Sequence, residues 1–340
     1  ILNAKYVNAL PFYRQEREFE RYGVHISRQD MANWKIQCAE RYLAIMYDYL
    51  HSKLYTFSVL QADETTVFVN KDGRPAGSKS YMWLYRTVES VQKEQILLYE
   101  YQKTRNSNHP RTFLKSFHGI CITDGYQVYH TLEQEREDLQ IAGCWAHVRR
   151  RYDEALKALP KEKRNQSTAH RGLVMIQAIY RNEKPLKELS AEERRERRQL
   201  SVKPLVEAYF TWVHATIGQV MPKSKLWEGL NYSINQERYL KVFLENGNVP
   251  IDNNASERSI RSFCIGRKNF VMIDTLHGAA ASAIIYSIAE TAKANGLKPY
   301  EYFELLLTEI PKHLDDDDLN FCEKLLPWSK DLPEKCRKKQ

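Results

Sequence analysis

The 340-residue chain has no long hydrophobic run: its longest stretch of small and apolar residues, Gly278 to Ala289, is 12 residues, well short of the ~20 that a membrane-spanning helix needs. No membrane partner is expected. Its six cysteines form no CxxC pair and no repeated spacing. In a chain long enough to bury its own core, this argues against a disulfide framework and for reduced, cytosolic thiols. The start, Ile1-Leu2-Asn3-Ala4-Lys5, has neither an initiator Met nor an apolar signal core, and reads as a fragment or a processed end with something upstream expected. Internal repeats are not evident. The acidic run Asp315 to Asp318 lacks the interleaved Gly and terminal Glu of a calcium-binding EF-hand loop, which leaves a solvated linker.

What is present is a basic, globular composition. Lys and Arg number 51 against 43 Asp and Glu, a net +8, with 43% hydrophobic residues, and the length allows roughly two domains on a ~150-residue prior. Between Cys144 and Lys203 there are 16 basic and 8 acidic residues, so the whole excess lies there. Such a region favours a polyanionic partner through counterion release. The alternative is a solvated helical face, above all for AEERRERRQL, Ala191 to Leu200.

Residues 11 to 52 read as two helices. Pro11 opens the first, Gly23 follows it, and Ser27 with Asp30 starts the second. Met31, Trp34, Cys38, Tyr42 and Ile45 give that second helix an apolar stripe. The pair suits either plain packing or a helix-turn-helix, with Arg14, Arg17, Arg21 and Arg28 near phosphates. From Ser58 the period changes to two. SVLQADETTVFVN, SYMWLYRT after the turn signal KDGRPAG, and QILLYEY predict an antiparallel meander. A helical stretch, the run GICITD, another helix and the run LQIAGCWAH come next, which predicts a mixed sheet covered by helices. Residues from 150 to about 247 carry no strand signal and read as a helical block. IDNNASERSIRSF, a GRKNFVMID segment and two more helices complete the chain.

Three acidic clusters stand out: Asp63 with Glu64 inside a β segment, Asp124 at the end of another, and Asp252 with Glu257 in IDNNASER. A carboxylate within a strand is costly to bury unless a cation or hydrogen bonds compensate. Strand-end carboxylates suit two divalent ions about 3.5 to 4 Å apart, as in phosphoryl transfer. Hard oxygen ligands without clustered thiolates point to magnesium. Any one of these acids taken singly reads equally well as a capping or turn residue, Asp252 in particular.

The strings ADET, YMWLYRT, TDGYQVYH, AGCWAHVRRRYDEAL, IDNNASERSIR, GRKN, ETAKANGLKPYEY and LLPW, in this order, resemble the insertion-sequence-66 family of bacterial transposases over nearly the whole chain. The resemblance implies a DDE transposase with a ribonuclease H-like, α/β fold: a mixed five-stranded sheet flanked by helices, a large all-helical insertion, and helical N- and C-terminal parts. The corresponding limits are 1–56 for the N-terminal segment, 57–150 and 248–310 for the catalytic domain, 151–247 for the insertion and 311–340 for the tail. It implies Asp63, Asp124 and Glu257 as the catalytic and metal-holding acids, with two Mg2+ ions that Mn2+ can replace. Implied partners are DNA at the element's ends and at the target, further copies of the chain on DNA, and accessory proteins of the same element. A cytoplasmic, nucleoid-associated location goes with them. Cys144 and His147 resemble a Cys/Asp-x-x-His motif of several transposases with helical insertions; with no further ligand pair nearby, positioning of DNA or of the active-site strand is favoured over zinc. Arg149, Arg150, Arg151, Arg258, Arg261, Arg267 and Lys268 flank the acids as candidate phosphate contacts. The resemblance also leads one to expect an upstream region with a helical segment and a Cys/His cluster, which residues 1–340 do not include. A non-catalytic DNA-binding derivative and a stand-alone nuclease of the same fold are the competing readings.

Overall fold

The computed structural model describes residues 1–75, 77–89 and 93–338, so one residue of the KDGRPAG turn, three residues after the second strand of the meander and the last two of the tail lie outside the described residues. The chain forms two compact units, one of Ile1–Phe117 with the residues from Ala255 on, the other of His118–Asn254.

The first unit opens with helices α1 (Leu2–Tyr6), α2 (Phe12–Arg21), α3 (Arg28–Cys38) and α4 (Ala44–Leu54). Ser27 caps α3 by accepting from the Asp30 N–H, as the sequence indicates. The expected apolar stripe is out of register, however. One π-helical turn, Ala39–Leu43, joins α3 to α4 without a break, and the covered row is Met31, Lys35, Ala39, Leu43, Met46, Leu50 and Leu54. Trp34 is left 46% exposed. A π turn inserts one residue and rotates the helix beyond it, which a uniform period of 3.6 cannot anticipate.

Strands β1 (Val59–Lys71), β2 (Lys79–Thr87) and β3 (Leu97–Gln102) form the antiparallel meander, followed by α5 (Asn108–Phe113).

The second unit begins with β4 (Gly119–Ile122), α6 (Gln127–Glu135) and β5 (Leu139–Ala142), and β4 and β5 pair in parallel. Helices α7 (Trp145–Lys157), α8 (Thr168–Glu183), α9 (Ala191–Arg197), α10 (Lys203–Ile217) and α11 (Lys225–Glu245) come after them. From residue 158 to 247 there is no strand among the described residues. Their core is aromatic: Trp145, Tyr152, Tyr209 and Phe210 are buried. The hydroxyl of Tyr209 lies 3.0 Å from that of Tyr152 and 2.7 Å from Ser233 Oγ, and the Trp145 indole donates to Leu240 O at 2.9 Å. Buried polar tips are thus satisfied.

The run AEERRERRQL is not simply a solvated face. Arg194 and Arg198, four residues apart, are buried. Arg194 donates to the carbonyls of Leu186, Gly247, Lys187 and Leu189. Arg198 pairs with buried Glu183 and donates to Phe243 O at 2.6 Å. Arg195 is held by Glu192 at 2.6 Å. Part of the local positive excess therefore closes carbonyl-rich loops and is withdrawn from any polyanion.

Back in the first unit come α12 (Asn254–Phe270), the short strand β6 (Ile273–Thr275), which pairs in parallel with β1 and has no counterpart in the sequence reading, then α13 (Leu276–Ala294), α14 (Pro299–Glu309) and α15 (Phe321–Leu325). Helix α13 covers the open edge of β3. Ser287, Thr291 and Asn295, one helical turn apart, accept from the backbone N–H groups of Tyr99 (2.7 Å), Leu97 (2.9 Å) and Gln95 (3.0 Å). This satisfies an edge that would otherwise offer free donors. The strands are of mixed direction and the fold is α/β, of the ribonuclease H-like class, with helices flanking the sheet.

Candidate active site

In the first unit the sheet's alternation decides which acids of ADET matter. Gln61, Asp63 and Thr65 share one face of β1, because successive side chains point to opposite sides. Their cross-strand partners on that face are Arg86, Leu84 and Met82, and Tyr99 lies beyond Leu84. Helix α12 lies over this face. Tyr99 donates to Ser259 O at 2.8 Å, and Arg86 donates to Ala255 O at 3.1 Å and Ser259 Oγ at 2.8 Å. At the far end of the helix, Arg267 donates to Thr65 Oγ1 at 3.0 Å and to Thr66 O. Asp63 falls between these two attachments on the strand and Glu257 stands between Ala255 and Ser259 on the helix. Asp63 therefore lies on the face of the meander that α12, the helix carrying Glu257, covers, and both acids are partly exposed.

Glu64 points to the other face, where Arg105 pairs with it through Nε at 2.8 Å. In register with it through Trp83 is Glu100. Burial pushes the Glu100 carboxyl up to about 7, against which the Gln102 amide acts, and its second oxygen is buried without a hydrogen bond. A raised folded-state pKa means that the folded protein holds more protons than the unfolded chain between about 4.5 and 7, so stability falls as pH rises through that window. Glu100→Gln is expected to match the wild type near pH 4.5 and to exceed it at pH 8 by on the order of 2–3 kcal/mol. Urea titrations at the two pH values check this, and equal stability at pH 8 would refute it.

In the second unit Asp124 and Cys144 each lie two residues beyond the C-terminal end of a strand, β4 and β5, on the carboxyl edge of a parallel pair. This is the edge at which open α/β sheets bind ligands. The Asp124 carboxylate accepts from the Tyr126 N–H at 3.0 Å, and Gly125 between them takes φ +88°. A Cβ at Gly125 would approach Gln236 and the Tyr232 hydroxyl to 2.9 Å. Tyr232 donates to Asp124 O at 2.6 Å and its ring stacks under Arg151 at 4.2 Å. Burial raises the Tyr232 hydroxyl well above its usual range, with Cys144 and Asp124 adding to it and Arg151 and Arg150 opposing. Tyr232 thus joins Asp124 to Arg151 of α7, a role for which the sequence holds no signal beyond a tyrosine in a helix.

Cys144 is fully buried, and burial pushes its thiol up to about 12. Its Sγ accepts from the Asn253 N–H at 3.2 Å, while the Trp145 N–H donates to Ile251 O at 3.2 Å. Asp252 accepts from Tyr180 at 2.9 Å and from the Asn254 N–H at 3.1 Å. The first residues of α7 therefore hold the IDNN segment that leads into α12. The enclosed Cys144 thiol anchors backbone, which agrees with a part in positioning the segment that leads into α12 and leaves no exposed surface of Cys144 for DNA. His147, half-buried, lies 3.3 Å from Arg150 Nη1. Arg149, Arg150, Arg258, Arg261 and Lys268 are exposed. Arg267 differs from them, since its Nη1 is directed into β1. Arg86, which no sequence pattern singles out, is buried and fastens β2 to the first turns of α12.

Among the described residues no group of three or more His, Cys, Asp or Glu side chains is gathered closely enough to hold a metal ion. The donors at these positions are nevertheless all of one kind. Asp63, Glu257 and Asp124 offer hard carboxylate oxygens, a donor set that fits magnesium; the Cys144 thiol is enclosed, and Cys264 Sγ lies 3.8 Å from Thr65 Oγ1.

A ribonuclease H-like α/β chain, with an acid on its opening strand and another on a late helix over the same sheet face, defines a class. Residues 1–281 match the family model described as Transposase IS66 family, and residues 287–328 match the IS66 C-terminal element. The chain belongs to the IS66 transposase family. It is similar to uncharacterized protein y4qI of Sinorhizobium fredii, 29% identical over 336 residues, which are 96% of this chain and 60% of the relative. It is also similar to y4jD of the same organism, 26% identical over 337 residues, 97% of this chain and 64% of the relative. The chain thus spans about three fifths of the length of the curated relatives it matches. No helix among the described residues is long and apolar enough to cross a membrane.

Proposed function

We propose that this chain carries the phosphoryl-transfer core of an insertion-sequence transposase, with Asp63, Asp124 and Glu257 as its acids and DNA as substrate. The observation that supports this reading is the packing of α12, which carries Glu257, over the sheet face that bears Asp63, with Arg86 and Arg267 fastening the helix at either end. Two magnesium ions, when bound, would supply charge neutralisation for the attacking and leaving oxygens. The three carboxylates would hold them through oxygen, and the Cys144–Asn253 and Arg86–Ala255 hydrogen bonds would keep the first turn of α12 from shifting. In the cleavage step a water oxygen bonds to phosphorus and the 3′-oxygen leaves with a proton; in the joining step that 3′-hydroxyl attacks a target phosphorus and displaces another 3′-oxygen. The exposed Arg149, Arg150, Arg258, Arg261 and Lys268 fit phosphates along the duplex.

The test is cleavage and strand transfer on a duplex carrying the element's terminal repeats, with magnesium and with chelator. Products of both steps in magnesium alone are expected. Cleavage without joining supports a stand-alone nuclease, and binding without either product supports a non-catalytic derivative. Arg149→Ala with Arg150→Ala should weaken binding to all sequences alike and reduce the salt slope by up to ~0.9 per lost contact. Gel shifts over a salt series read this, and an unchanged slope would remove the two arginines from the interface.

A further inference from the structure

Two lysines that this chemistry does not use, buried Lys35 and half-buried Lys5, line one cavity of the first unit. Lys35, on the covered face of α3, is 4% exposed and donates to Gly278 O at 2.8 Å. Lys5 of α1 lines the same cavity of about 250 Å³, its Nζ lying 4.3 Å from the centre of the Phe12 ring and 5.0 Å from that of Phe270. Among the described residues neither ammonium is in an ion pair. The nearby acids are engaged elsewhere. Asp274 accepts from Lys71 at 2.6 Å and Asn70 at 3.2 Å, and Glu40 is bound to His277 at 2.7 Å. Burial pushes Lys35 down to about 7, with repulsion from Lys5 adding to it and the Glu40 carboxylate opposing, and burial pushes Lys5 down to about 8. A desolvated ammonium without a counter-charge is costly, and an anion in the cavity would relieve both.

The lining also holds the acid Asp274, whose carboxylate is taken by Lys71 and Asn70, among apolar side chains such as Phe12 and Phe270. Gln29 and Asn33 bring side-chain amides, and the 19-residue helix α13 starts at this wall, where Thr275 accepts from the Gly278 N–H at 3.0 Å. Helix N-termini attract anions. Beside the wall, Val271 adopts φ +64°, an outlier for a β-branched residue, and Ala9 φ +55°, with Asn269 donating to Ala9 O at 2.9 Å. Strained backbone of this kind persists only where surrounding structure imposes it. The volume is below the ~300 Å³ at which pockets for whole small molecules begin, a size for one phosphate group and its first attached atoms.

We propose that this cavity is an anion site that takes a phosphate group, with Lys5 and Lys35 as its cations. It does not depend on the acids of β1 and α12; only the source of the phosphate, a DNA strand or a free nucleotide, rests on the proposed function. The full chain is titrated with inorganic phosphate against chloride at constant ionic strength, following its melting temperature and the lysine ε-carbon resonances. The wild type should be stabilised by phosphate, with selective shifts at Lys5 and Lys35. Lys5→Met and Lys35→Met should each weaken the response at least tenfold, and Glu257→Gln should leave it unchanged. Equal responses in wild type and lysine variants overturn the site. Should a variant fail to fold, uniform small shifts of all lysines in the wild type overturn it instead. Displacement of phosphate by a short DNA but not by a mononucleotide assigns the source to DNA, and the reverse assigns it to a nucleotide. Failure of both overturns a phosphate-ester ligand.

Discussion

Glu257→Gln should bind DNA as tightly as the wild type, or slightly more tightly, and cleave it slower by on the order of 10³-fold. The substitution keeps size and hydrogen-bonding capacity while removing one negative charge from the carboxylate set, so ion affinity and activation of the attacking oxygen fall together. Binding rests on Lys and Arg contacts to phosphate, which a missing carboxylate does not weaken. The packing of α12 is untouched, because Arg86 holds Ala255 and Ser259, and Arg267 holds Thr65. Gel shifts and single-turnover cleavage in magnesium read the two effects separately, and near wild-type cleavage would remove Glu257 from the chemistry. Asp63→Asn should behave in the same way, whereas Glu64→Gln, on the far face with Arg105, should alter stability more than rate.

Arg198→Met should lower stability by about 3–5 kcal/mol, because it strands the buried Glu183 carboxylate. Both members of the pair are almost wholly enclosed, with side-chain exposures of 1% and 5%. Adding Glu183→Leu should recover much of the loss, since an apolar pair of similar volume removes the orphaned charge. The recovery should be incomplete, as Phe243 O and Asn246 O each lose the Arg198 donor, Asn246 O keeping the Val249 N–H. Urea unfolding of both variants measures this. A small change in the single variant would mean that Arg198 is hydrated and free to serve a polyanion.

The meander was legible because its strands alternate in hydrophobicity and the turns between them are short. That same alternation separates Asp63 from Glu64 once the covering helix is known. The helical character of α8, α10 and α11 was equally open to a period of 3.6. What stayed hidden depends on contacts far apart in sequence. The π turn at Ala39–Leu43 shifted the covered row of the long N-terminal helix, and no local signal marks it. Arg194 and Arg198 read as exposed because charge is normally outside, yet loop carbonyls near Gly247 and Asn246 required donors. The spacing of Cys144 to His147 suggested a positioning role, and only the fold shows its partner, the Asn253 amide. Strand β6 has three residues, too few to carry a period.

Whether Asp63, Asp124 and Glu257 serve one pair of ions is best measured by counting Mn2+ bound to the protein–DNA complex, by electron paramagnetic resonance, in the wild type and in Asp63→Asn and Asp124→Asn. Two ions per chain are expected in the wild type, with occupancy of both reduced in either variant. Unaltered ion binding in Asp124→Asn, or independent loss of a different ion in each variant, would contradict a shared site and with it the transposase chemistry proposed for these residues.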